Sequence, residues 1–68
     1  MTEIVAIRDG RAEYHSAPTR HLGYLKAKAL WNSRAFEQVS AESDGAIFFM
    51  QNQRMINEYK RAMGMLHI

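Results

Sequence analysis

The absence of cysteine from a chain of only 68 residues is the strongest constraint on what this sequence can fold into. A domain of this size buries only about 60% of its unfolded surface and is marginally stable. Small proteins usually add disulfides, a metal or a second subunit. Disulfides and cysteine-based zinc sites are excluded, and the three histidines, His15, His21 and His67, are not at ligand spacing. The sequence therefore predicts no metal, and stabilisation by self-association or by docking on a partner.

The charges are nearly balanced, with nine Lys and Arg against seven Asp and Glu. Dedicated DNA-binding domains usually concentrate more positive charge on one face. No stretch approaches the ~20 apolar residues of a membrane span, and Met1 to Gly10 lack the basic start of a signal peptide. We therefore predict a soluble, cytoplasmic protein with no membrane partner, for which nucleic-acid contact is permitted but not favoured.

Residues 1–15 predict a short β-hairpin. Glu3 to Arg8 is rich in β-branched residues, and the dipeptide Asp9-Gly10 tolerates the positive φ angles of a type I′ turn. The alternative is a frayed arm, because an isolated two-stranded hairpin is marginal in water. The two interpretations are equally supported.

A helix is predicted over residues 18–40. Ser16 is a candidate N-cap, and proline is accepted in a first helical turn, as at Pro18. Gly23 is the weak position, so the helix could begin nearer Leu22. Two overlapping apolar stripes give it a wide apolar face. One stripe contains Leu22, Leu25, Ala29, Ala35, Phe36 and Val39, and the other contains Tyr24, Ala27, Leu30, Trp31 and Ala35.

A second helix is predicted over residues 44–63, after a turn from Ser40 to Gly45. Apolar residues recur there at steps of three and four, the clearest helical period in the chain. They are Phe48, Phe49, Met55, Ile56, Tyr59, Ala62, Met63 and Leu66. Gly64 is a candidate helix-terminating residue, and residues 65–68 are expected to form a short tail.

The expected fold is therefore mainly α: an antiparallel two-helix hairpin with a short N-terminal β-hairpin or arm, forming one small domain over residues 1–68. Two helices cannot bury all the large apolar side chains in this sequence. We expect the excess surface to be covered by dimerisation or by a partner.

Catalytic chemistry is not indicated. Acid–base catalysis needs paired groups in a water-poor cleft, and the acidic residues are scattered along the chain. The glycines are isolated, so no phosphate-binding loop is present. The sequence predicts that the protein is not an enzyme and takes no cofactor.

Four basic residues deserve separate consideration because no acid lies between Tyr14 and Phe36. They could contact a phosphate backbone or an acidic protein surface. At 100° per residue they spread around a helix, which favours an ordinary solvated face. The candidate nucleic-acid contacts are Arg20, Lys26, Lys28 and Arg34.

The run from Gly23 to Ala35 resembles the AraC negative regulators and the related PerC-like proteins, small enterobacterial transcriptional regulators. These carry Gly-Tyr, Ala, Leu-Trp and Ala at this spacing, then an aromatic residue and an Arg in a second helix. The resemblance covers roughly Gly23 to Tyr59. It implies a non-enzymatic helical protein that binds a transcription activator or a nucleoid protein. The motif positions that carry over are Tyr24, Ala27, Leu30, Trp31, Phe49 (or Phe48) and Arg54.

The predicted function is therefore a small regulator that binds a protein partner to modulate gene expression. Flexible methionines are numerous after Phe49 and suit adaptable binding surfaces. The candidate partner-binding residues are Tyr24, Trp31, Phe48, Phe49, Met50 and Arg54. Two alternatives stay open: a direct nucleic-acid-binding regulator of phage or plasmid type, and a small inhibitor or structural subunit that binds another protein.

Overall fold

Four antiparallel strands and two helices make up the computed structural model, which describes residues 1–65. The elements are β1 (Thr2–Arg8), β2 (Arg11–Ala17), α1 (Arg20–Asn32), β3 (Gln38–Ser43), β4 (Ala46–Asn52) and α2 (Gln53–Met65). The expected mainly α helical hairpin is therefore wrong, because a four-stranded sheet forms the centre of the fold. The predicted tail falls largely on residues 66–68, outside the described residues.

Both hairpins turn on the same dipeptide. Asp9 and Gly10 have φ angles of 52° and 74°, and Asp44 and Gly45 have φ angles of 53° and 80°. Two successive positive φ angles characterise the type I′ turn, whose twist matches that of paired strands. Of the two interpretations left open for residues 1–15, the structure forms the hairpin. The predicted helix start at residue 44 is wrong, because Asp44 lies in a hairpin turn.

Residues 46–52 form a strand although their apolar spacing suggested a helix. Ile47, Phe48 and Phe49 are β-branched or aromatic residues, which favour a pleated surface. A register shift opposite Ala41 and Glu42 places an extra residue in β4. Phe48 and Phe49 can therefore both pack against the core. The helical period predicted for residues 44–63 belongs mainly to α2, which contains Met55, Ile56 and Tyr59.

The first helix is shorter than the predicted span of residues 18–40. It begins after Thr19, whose Oγ1 accepts a hydrogen bond from the Leu22 N–H at 3.2 Å, while Ser16 lies in β2. It ends at Asn32, beyond which Arg34 has a left-handed φ of 61°. Backbone of that conformation terminates helices, usually at glycine. The sequence carries no glycine there to mark the end.

The sheet order is β2-β1-β3-β4, and α1 crosses one face in contact with all four strands. In the two central strands Ile4 pairs with Ala41 and Ala6 pairs with Val39. These four residues and Ala27 of α1 are almost fully buried. The core therefore lies between α1 and one side of the sheet, and no described element covers the opposite side.

The second helix continues directly from β4 without a connecting residue. The Asn52 side chain fixes this junction: its Nδ2 donates to Gln38 Oε1 at 2.8 Å, and its Oδ1 accepts from the Arg54 N–H at 2.9 Å. The helix projects away from the sheet, and the longest dimension of the molecule is 47 Å. No helix within residues 1–65 has the length and apolar character that a membrane span requires.

Candidate protein-binding surfaces

The solvent side of α1 is unexpectedly apolar. Gly23 and Ala27 face the sheet and are buried, whereas Leu22 and Leu25 are each 47% exposed on the other side. We define the outer face of α1 by its residues His21, Leu22, Leu25, Ala29 and Asn32, all of which are exposed. Leu22 and Leu25 therefore form an exposed apolar patch in the middle of this solvent-facing helix surface.

Positive charge surrounds this outer face. Lys26 and Lys28 are about 200° apart around the helix, so they lie on its opposite flanks. The helix contains no acidic residue. The outer face of α1 is therefore an apolar strip with a basic residue on either side.

The four predicted nucleic-acid contacts do not converge. The guanidinium of Arg20 lies over the Phe48 ring at 4.8 Å, and Lys28 lies 6.0 Å from the Tyr24 ring centre. Lys26 is on the other flank, and Arg34 follows the far end of the helix. These residues form no single basic patch, so a phosphate backbone could engage only part of the set at once.

The six predicted partner-binding residues are also divided among different surfaces. Tyr24 is 40% exposed and meets Phe49 edge to face, with ring centres 5.9 Å apart. Trp31, Phe48 and Phe49 are half-buried and pack against the core.

The remaining two predicted residues point elsewhere. Met50, 43% exposed, lies on the uncovered side of the sheet. Arg54, at the start of α2, faces Glu58 with Nε and Oε1 3.4 Å apart. The structure does not bring the six residues into one site.

The uncovered side of the sheet, which we call the open face, is a second surface with exposed apolar side chains, interspersed with polar ones. One row of neighbours crosses all four strands there, from Tyr14 through Val5 and Ser40 to Met50. Tyr14 is 78% exposed, and Ile47 on the same face is 59% exposed. A four-stranded sheet normally covers such a face or makes it polar.

The third apolar surface is a stripe on α2. Met55 and Tyr59 are 62% and 67% exposed and lie within about 40° of each other around the helix. Met63 continues the stripe one turn later and is 38% exposed. We define the α2 stripe as Met55, Tyr59, Ala62 and Met63. All four side chains are exposed.

The clefts beside α2 are open and carry both signs of charge. The larger one, of about 910 Å³, is lined by Arg8, Arg34 and Lys60 together with Asp9 and Glu37. Arg8 already pairs with Glu13 at 2.8 Å and lies over Phe36. Within residues 1–65 no group of three or more His, Asp or Glu side chains is placed to hold a metal ion.

Comparison with known protein families, with curated proteins and with solved structures finds no match to this chain. The helix pair implied by the resemblance over residues 23–59 is also absent, because β3 and β4 follow α1. We therefore base the functional proposal on the surface of this structure.

The sequence prediction missed the residues that now stand out. Leu22 and Leu25 were placed in one of two apolar stripes, and the structure turns Ala27, Leu30 and Trp31 of the other stripe toward the sheet. The small side chains of Gly23 and Ala27 were the sequence feature that could have identified which side of the helix faces the sheet. A helix approaches a sheet most closely where its side chains are smallest, and this leaves larger neighbours outside.

Proposed function

We propose that this protein is a non-enzymatic regulator that binds a protein partner through the outer face of α1. The observation that carries the proposal is the pair of half-exposed leucines, Leu22 and Leu25, flanked by Lys26 and Lys28. An apolar helix surface fits a hydrophobic groove in another protein. Basic flanks favour a groove with an acidic rim, because complementary charges steer association and fix orientation.

Nucleic-acid binding is the second candidate, supported by the lack of acid between Tyr14 and Phe36. Leucines at the centre of the basic segment argue against it, since a phosphate backbone offers no apolar surface to them. A transcription activator or nucleoid protein remains the partner class that the resemblance implies. The fold adds no support for that narrower identity.

Replacing Leu22 and Leu25 with serine is expected to weaken partner binding by roughly tenfold or more, because buried apolar anchors dominate interface energetics. A tagged chain would be purified from cells that naturally express it, after nuclease treatment, at low and high salt. The control is Arg11→Ser, which alters an exposed residue outside α1, the open face and the α2 stripe. Circular dichroism would establish that each variant is folded.

A protein retained at both salt concentrations, lost in the leucine variant and kept in the control, supports the proposal. Retention that disappears with nuclease or with Lys26→Glu and Lys28→Glu, and is indifferent to the leucines, would contradict it. That outcome would favour the nucleic-acid candidate, whose affinity falls steeply with salt.

A further inference from the structure

The structure leaves two apolar surfaces without a counterpart in the same chain: the open face and the α2 stripe. We infer that they cover each other between two copies of the protein, with α2 of each copy lying on the open face of the other. The outer face of α1 takes no part in this contact. Either this inference or the proposed function can therefore fail alone.

The junction between β4 and α2 favours a second copy over folding back. Connections between strands and helices usually take two to six residues, and Pro18 and Thr19 supply such a connection before α1. None separates Asn52 from Gln53, whose N–H donates to the Glu37 carbonyl oxygen at 2.8 Å. The helix is therefore held in a direction that does not return over its own sheet.

Charge complementarity also supports α2 of a second copy as the element that covers the open face. Glu3 and Glu42 are directly opposite each other on β1 and β3, and both lie on the open face. Like charges in that arrangement are destabilising unless a cation is near. Neither carboxylate has a salt-bridge partner within residues 1–65. The strands present no basic residue on this face.

The α2 helix carries the opposite charge. It holds three basic residues and one acid, Glu58, which Arg54 already faces. Lys60 lies on one flank of the α2 stripe, about 100° from Tyr59, whereas Arg61 lies about 160° from Tyr59 and borders a cleft beside Gln38 and Asn52 of its own sheet. Neither has a carboxylate partner in the described chain. A basic amphipathic helix and an acidic apolar sheet face complement each other.

The dimensions are also compatible. A helix of 13 residues is about 20 Å long. A strand of 7 residues is about 23 Å long. Twofold symmetry makes the contact twice, which doubles the buried surface for one kind of interface. The dimer also supplies the additional support that a cysteine-free chain of this length needs.

Reversing the charges on one surface at a time tests this arrangement. One chain carries Glu3→Lys and Glu42→Lys, and the other carries Lys60→Glu and, within the α2 stripe, Ala62→Glu. Each alone is expected to self-associate roughly tenfold or more weakly than the unaltered protein, because like charges then meet in both contacts. Mixed in equal amounts, they are expected to form a heterodimer, since both contacts again join opposite charges. Sedimentation equilibrium at low salt measures the self-association of each variant chain and the association of the two chains in the mixture.

Several results would overturn the inference. The lysine chain would dimerise unchanged if α2 paired with α2, and the unaltered protein would stay monomeric if no second copy were bound. A strand-edge dimer would respond to neither pair of substitutions.

Disulfide trapping keeps the test decisive if a charge variant fails to fold. The chain has no cysteine, so Ser40→Cys and Tyr59→Cys can be introduced singly, one on the open face and one on the α2 stripe. Oxidation of a mixture is expected to join the two different chains. Predominant joining of Tyr59→Cys chains to each other would contradict the inference. So would a disulfide closed within one monomer when a single chain carries both substitutions.

Discussion

Replacing Ile4 with alanine is expected to lower the free energy of unfolding by about 2–5 kcal/mol. Ile4 is the largest fully buried side chain, on a central strand beneath α1, with 0% exposure. A chain of this size is stabilised by roughly 3–10 kcal/mol in total. The substitution should therefore unfold a substantial fraction of the protein at ordinary temperature.

The matched control is Ile47→Ala, which removes the same atoms from a side chain that is 59% exposed. Denaturant unfolding would be followed by circular dichroism at a concentration low enough to keep the protein monomeric. The control is expected to cost well under half as much. Equal losses at the two positions would mean that the core does not lie between α1 and this side of the sheet.

Gly23→Ala is expected to destabilise the protein by roughly 1–2 kcal/mol although alanine is the better helix former. A Cβ at position 23 would lie 2.9 Å from the Thr2 Cβ and closer still to its Cγ2. Thr2 is fully buried on β1, so its side chain has little room to move. Overpacking at this contact should exceed the ~1 kcal/mol that the helix gains.

Gly64→Ala is the comparison variant, for which we expect no destabilisation. Gly64 also lies within a helix, but nothing is within 4 Å of the place where its Cβ would be. We expect higher helix content and no loss of stability. Thermal unfolding of both variants measures these changes in stability. A stabilised Gly23→Ala protein would show that α1 does not approach β1 as closely as described.

Local signals in the sequence predicted the first half of the fold better than the second. Asp9-Gly10 between β-rich segments indicated the first hairpin, with a frayed arm as the equally supported alternative. The identical Asp44-Gly45 was interpreted as a helix start, since aspartate is also a good cap and the apolar residues after it recur with a helical period. Most of those residues, from Met55 to Met63, lie in α2, and only Phe48 and Phe49 lie in β4. The central pairing of β1 with β3 joins residues that are far apart in sequence, so no local sequence pattern predicts it.

The binding surfaces show the same division between local and tertiary information. The sequence indicated that apolar surface exceeds what a small core can bury, and the open face and the α2 stripe are such surfaces. Which residues would be left outside depended on the orientation of α1. Trp31 and Phe49 were chosen as binding residues because the resemblance carried them over as motif positions, and they pack against the core. Leu22 and Leu25 are less conspicuous and are half exposed.

The most direct test of the account is site-specific photo-crosslinking from the outer face of α1. A photoreactive amino acid would replace Leu25 in one chain and Asp44, an exposed turn residue, in another, both expressed in cells that naturally contain the protein. We predict a discrete protein adduct from position 25 that survives nuclease treatment and is absent from position 44. Equal adducts at both positions, a nuclease-sensitive adduct, or none at position 25 would contradict a protein partner on this face.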